Sequence, residues 1–235
     1  VRTSERAAIQ SCVQAAARSV LCEIASSIGP TSTERSIRDT AIDALAARGL
    51  VETWYYDCPA LVLAGSRSCL SESGRTYVPE EAQAVGEFNL VTIDLSPSRE
   101  GVWGDCARSF YVERGVVSST PIDPEFVAGR DLLVELHRRV RSCATPRTTF
   151  HDLCEFADAA VVQAGFQNVD FLGNFGHSIA TNLGDRIFIE RGERRRLIDA
   201  ASFTFEPHIR IRGGRWGFKH EDVYRFGADG TIELV

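Results

Sequence analysis

Apolar positions through residues 4–28, SERAAIQSCVQAAARSVLCEIASSI, recur at helical spacing, with alanines between Val13, Val20, Leu21 and Ile24. Gly29 and Pro30 predict the end of that helix. Thr31 and Glu34 stand at capping-box spacing and predict a second start, running into SIRDTAIDALAARGL and closing at Gly49. The pattern then changes to short apolar runs. ALVLAGS (60–66), FNLVTIDL (88–95) and GVWGDCARSFYV (101–112) predict strands. The succession then repeats. Residues 123–143 and 148–165 predict helices, and NFGHSIA, RIFIE, ASFTFEPHIRI and WGFKHEDVYRF predict strands. Two helices followed by strands, twice over, predict an α+β chain with an internal structural duplication, its halves about 1–118 and 119–235. No sequence identity is visible between the halves.

Acids interrupt this pattern. Asp94 sits inside the apolar run VTIDLSP, and Asp105 follows eleven positions later in WGDCARSF. A hairpin turning between Arg99 and Glu100 sets these two directly opposite one another. Opposed strand residues have Cβ atoms roughly 4.5–5.5 Å apart, where like charges are destabilising. Such a pair needs a shared proton or a bound cation. Gly213 and Gly214 are the strongest two-residue hairpin signal in the chain, and folding about them sets Glu206 opposite Glu221. The four carboxylates carry a formal charge of −4, which two divalent cations balance. His177, in the glycine-flanked GNFGHSIA, offers an imidazole to complete the set. Oxygen donors with one nitrogen are compatible with manganese, iron, cobalt or zinc.

Composition narrows the partners. Of 235 residues, 44% are hydrophobic and 25% charged, an ordinary globular balance. A net charge of −6 argues against a nucleic-acid partner, and the basic run 191–196 reads as a solvated loop. No apolar run approaches the ~18 residues of a membrane span, and VRTSERAAIQ is not a signal peptide. Seven cysteines, an odd number with no Cys-x-x-Cys, suggest neither a disulfide framework nor a zinc ribbon. Reduced, mostly buried thiols in a cytoplasmic protein are the expectation, Cys106 included. The absence of any Met implies that residue 1 is not the start of translation.

The order Asp94, Asp105, His177, Glu206, Glu221, within D-L-S-P, G-D-x-x-R, G-H-S-I, F-T-F-E-P and H-E-D, resembles the pita-bread metallopeptidases. These include methionine aminopeptidases and prolidases, with creatinase as a metal-free relative. The resemblance covers nearly the whole chain. It implies a single catalytic domain of pita-bread fold, two pseudo-symmetric α/β halves with a central curved antiparallel sheet. It further implies two divalent metal ions, with Asp94 on the first, His177 and Glu206 on the second, and Asp105 and Glu221 bridging. A bridging water would be the nucleophile, and Glu206 would carry its proton to the leaving nitrogen. Arg108 would contact the acids from behind.

The chain departs from that family in substrate handling. The family uses a histidine before the first aspartate, yet residues 1–136 contain none, leaving Thr76 or Tyr77 as stand-ins. A second histidine, seven positions after His177, is replaced by Gly184. His208 offers compensation, since period-2 alternation puts it on the face of Glu206. His220 should point the other way, and Asp185 is placed to anchor Arg186 or a substrate amine. The separate N-terminal domain of prolidases and creatinase is expected to be missing. The leading expectation is a two-metal hydrolase cleaving an amide or peptide bond. The alternative is a metal-dependent tailoring enzyme of a specialised metabolic pathway, acting on a non-peptide substrate. A non-catalytic binding module is third, and five retained ligands argue against it. The expected partner is a peptide or small-molecule substrate, and a homodimer is compatible with a bare catalytic module.

Overall fold

A computed structural model of the chain describes residues 3–235. The chain divides into two compact units, Val1–Ser68 with Glu72–Pro121, and Cys69–Ser71 with Ile122–Val235.

The first unit begins with helices α1 (Thr3–Ala25) and α2 (Glu34–Ala47). Val13, Ala17, Val20, Leu21 and Ile24 form one buried stripe on α1, the i, i+4, i+7 spacing of a core-facing helix. The stripe packs with Ile37, Ala41 and Leu45 of α2 against an antiparallel sheet. That sheet runs β2 (Ala60–Ala64), β3 (Phe88–Leu95), β6 (Cys106–Glu113) and β7 (Val116–Ser118). Val91, Ile93 and Leu95 of β3 and Cys106 and Val112 of β6 face the helices. A smaller sheet joins β1 (Glu52–Thr53), β4 (Pro97–Arg99) and β5 (Val102–Trp103). Trp54 stacks on Trp103 with centroids 4.5 Å apart at 12°, and its indole N–H donates to the Gly104 carbonyl at 2.9 Å.

Two local expectations are corrected here. The capping box of α2 is Thr33 with Ser36, two residues later than Thr31 with Glu34. Glu34 is turned inward instead, where it accepts from Ala64 N, Glu80 N and the Arg67 guanidinium, all at 2.8–2.9 Å. The predicted single strand 101–112 is interrupted at Gly104 and Asp105. There Gln14, fully buried on α1, accepts from the Asp105 backbone N–H at 2.9 Å and donates to the Asp105 carbonyl. A helix side chain thus takes the backbone hydrogen bonds that a neighbouring strand would otherwise supply.

The second unit repeats the plan. Helix α3 (Pro124–Cys143) starts at Asp123, whose carboxylate accepts from Glu125 N and Phe126 N, with Pro124 at the first helical position. Helix α4 (Phe150–Gln163) has a capping box of Thr149 and Asp152. Its sheet runs β8 (Phe166–Asn168), β10 (His208–Ile211) and β11 (Gly217–Phe226), with β9 (Phe203–Phe205) and β12 (Ile232–Leu234) also on β11. The expected strands NFGHSIA and RIFIE reduce to single bridges, His177 with Phe188 and Ser178 with Phe203. None of the seven cysteines is in a disulfide, and only Cys58, Cys106 and Cys154 are buried, so most thiols are not. Among the described residues no helix is long and apolar enough to cross a membrane.

Candidate metal centre

In the first unit, the turn between β4 and β5 falls at Glu100 and Gly101, with φ of 53° and 68°. Two central residues of positive φ make the type I′ turn that matches strand twist. The expected turn at Arg99 and Glu100 is therefore one residue early, and Asp94 pairs with Ala107 rather than Asp105. The consequence is small because the register moves by two residues, which preserves the face. Asp94 and Asp105 still present carboxylate oxygens within 4.8 Å of one another. Two like charges at that separation repel by about 3 kcal/mol at an effective dielectric of 20. A proton or a cation between them removes that cost.

In the second unit, β9 and β10 pair with β11 in one continuous register, Phe205 with Asp222 and His208 with Lys219. Extending it sets Glu206 opposite Glu221, although the connection after Ile211 is wider than a two-residue turn. Glu221 is buried. His208 is also buried and directly opposite Lys219, so the two share a strand face.

Beside them, Phe175 to Ser178 run along β9: Glu206 N donates to Phe175 O and Thr204 N to His177 O. The approach is so close that a Cβ on Gly176, at φ 135°, would lie 2.4 Å from the Thr204 carbonyl oxygen. Only glycine admits it. His177 Nδ1 lies 3.0 Å from the Ser178 carbonyl, which can only accept, so Nδ1 carries the proton and the lone pair is on Nε2. Nε2 is 3.9 Å from Glu206 Oε1. Burial pushes the His177 pKa down to about 4, so the ring is neutral at ordinary pH, as a metal ligand must be.

Burial pushes Glu206 up, but the Lys219 ammonium, 3.0 Å from Oε2, and nearby His177 outweigh it and hold the carboxyl below its usual range. Asp170 is raised, mainly by burial and then by Glu206. Its Oδ1 accepts from Leu172 N and Asn174 N, and its Oδ2 from Ser71. Lys219 and Asp170 were not anticipated. Lys219 stands two positions before Glu221, so strand alternation alone could have placed it on the same face.

The remaining candidates are more committed to structure. The Tyr77 hydroxyl donates to Val62 O and accepts from Val62 N, both at 3.0 Å. Thr76 is exposed and donates to Ser73 O at 3.3 Å. Gly184 lies in an exposed helical turn with open space where a Cβ would stand. Arg108 is opposite Ile93, on the sheet face towards α1, where it lines a shallow cavity with Arg18, Leu21, Cys22 and Phe110. Asp185 accepts from Asn182, while Arg186 donates to the Leu183 carbonyl.

The sequence profile of metallopeptidase family M24 matches residues 8–227. The chain belongs to family M24. Solved structures show what this M24 chain folds like. The X-Pro aminopeptidase of Thermotoga maritima MSB8 is 18% identical with a TM-score of 0.80, over 100% of this chain and 61% of that one. The prolidase of Pyrococcus furiosus is 18% identical with a TM-score of 0.80, over 100% and 64%. The Xaa-Pro dipeptidase of Bacillus anthracis is 19% identical with a TM-score of 0.79, over 100% and 61%. The fold is therefore the expected α+β pita-bread fold. This M24 chain spans less than two thirds of those proteins' lengths. No curated protein sequence matches it.

Proposed function

We propose that this M24 chain is a two-metal hydrolase that cleaves an amide or peptide bond, with Asp94, Asp105, His177, Glu206 and Glu221 as its ligands. The observation that carries the reading is the pair of carboxylates in the first unit, with oxygens within 4.8 Å of each other. The donor set fits divalent cations: four carboxylates of formal charge −4 and one imidazole whose lone pair is on Nε2. Asp105 and Glu221 are each almost fully buried, a position that carboxylates rarely hold without compensating charge. As the family resemblance implies, Asp94 would serve one metal, His177 and Glu206 the other, and Asp105 and Glu221 both. Manganese, iron, cobalt or zinc there would lower the pKa of a water and polarise the scissile carbonyl. Glu206, held ionised beside Lys219, would accept the proton of the attacking water and pass it to the leaving nitrogen. Ser178 keeps His177 in one tautomer through its carbonyl. His208 would contact the substrate from the face it shares with Lys219.

A second reading keeps the centre and changes the substrate to a non-peptide one in a specialised pathway. It is favoured by Tyr77, whose hydroxyl is bound at both ends to Val62, and by Gly184, which offers no side chain. Chelator-treated protein reloaded with each of the four metals should cleave Met-Xaa or Xaa-Pro peptides, and Glu206→Ala should abolish cleavage. No turnover of any peptide by fully loaded protein would move the assignment to the second reading. Bound metal that Asp94→Asn leaves unchanged would overturn both.

A further inference from the structure

The strand that carries Glu221 presents different donors on its other face. His220 and Asp222 flank Glu221 in β11, so alternation turns both away from it. They meet His137 of α3. One ring nitrogen of each histidine and one Asp222 oxygen lie within 4.8 Å of one another. His220 Nε2 is 2.9 Å from Asp222 Oδ2, and the two imidazole centroids are 4.1 Å apart. His137 and Asp222 are buried, whereas the His220 side chain keeps 22% of its exposure and gives a cation a way in.

We propose that His137, His220 and Asp222 form a further cation site, separate from the acid centre, for a borderline divalent ion such as Zn²⁺. Two imidazoles and one carboxylate are the protein share of a four-coordinate zinc site, with water as the fourth ligand. A nitrogen-rich set also disfavours magnesium and calcium, unlike the oxygen-rich set around Glu221. The outer hydrogen bonds suit the role. His137 Nε2 lies 3.1 Å from the His220 carbonyl and must donate to it, so Nδ1 accepts from the Tyr224 hydroxyl at 2.8 Å. A cation on either nitrogen displaces one of these bonds, and the other keeps the ring oriented. The site would then tie α3 to β11 on both sides of Glu221. It does not depend on the acid centre being catalytic.

The test uses the full chain, ¹⁵N-labelled and stripped with chelator, titrated with Zn²⁺ alone while the histidine ring resonances are followed. The His137 and His220 rings should shift together and saturate as one event, distinct from any response of His177. His220→Gln should remove the His137 response and weaken that event by more than about tenfold. Circular dichroism checks that the variant folds; if it does not, Asp222→Asn serves the same comparison. Zinc that perturbs His177 alone, or a His137 response that survives in the folded variant, would overturn the proposal.

Discussion

Gln14 is the sharpest place to perturb the candidate centre without touching a ligand. It is fully buried on α1 and holds both backbone groups of Asp105. Gln14→Leu keeps the approximate volume but leaves the Asp105 N–H and carbonyl without those partners. Each orphaned buried polar group costs about 1–3 kcal/mol, so the expected loss is about 2–6 kcal/mol. For a chain of this length that lowers Tm by roughly 4–24 °C. Urea unfolding of chelator-treated protein, followed by circular dichroism, measures the loss free of any metal contribution. Ala15→Gln, on the exposed face of the same helix, is the control and should stay within about 0.5 kcal/mol of the unaltered chain. Metal affinity should fall separately, by about 10–100-fold, because Asp105 loses its fixed position. A Gln14→Leu chain as stable as the control would show that the clamp contributes nothing, and the explanation given for the strand break at Asp105 would be wrong.

Two further outcomes follow from buried groups elsewhere. Glu34→Ala removes a buried acceptor shared by Ala64 N, Glu80 N and Arg67, and should cost about 3–5 kcal/mol in the same unfolding assay; a loss below about 1 kcal/mol would count against that role. Iodoacetamide at pH 8 should alkylate exposed Cys12, Cys22 and Cys143 first. Cys58 and Cys154, whose thiols burial pushes up to about 11, stay protonated at that pH and should be spared. Equal labelling of all five by mass spectrometry would contradict the burial.

The sequence made the elements legible wherever one periodicity ran unbroken. Residues 4–28 read as a helix because the stripe of Val13, Ala17, Val20, Leu21 and Ile24 faces one core, and the helix spans Thr3–Ala25. The strand 88–95 was legible for the same reason. The acid pairs were legible through parity: a hairpin misplaced by one residue shifts the register by two, so Asp94 and Asp105 remain on one face. What local pattern hid was decided by distant partners. Nothing near Gly104 announces that Gln14, about ninety residues earlier, replaces a strand partner. Glu34 has capping-box spacing, but its carboxylate serves Ala64 and Glu80. NFGHSIA alternates like a strand, yet its backbone takes only single bridges on either side. The roles of Thr76, Tyr77 and Gly184 came from the family resemblance, and local hydrogen bonding now accounts for the first two side chains without a substrate.

The stacked indoles have an optical consequence. The chain has three tryptophans, and two of them, Trp54 and Trp103, lie nearly parallel at 4.5 Å. Transition dipoles that close couple, so the near-ultraviolet signal of this pair depends on how the two rings are set against each other. Because Trp54 is bonded to the Gly104 carbonyl, that coupling reports on the peptide just before Asp105. The molecule thus carries an intrinsic chromophore pair at the break in its acid-bearing strand, readable without any label.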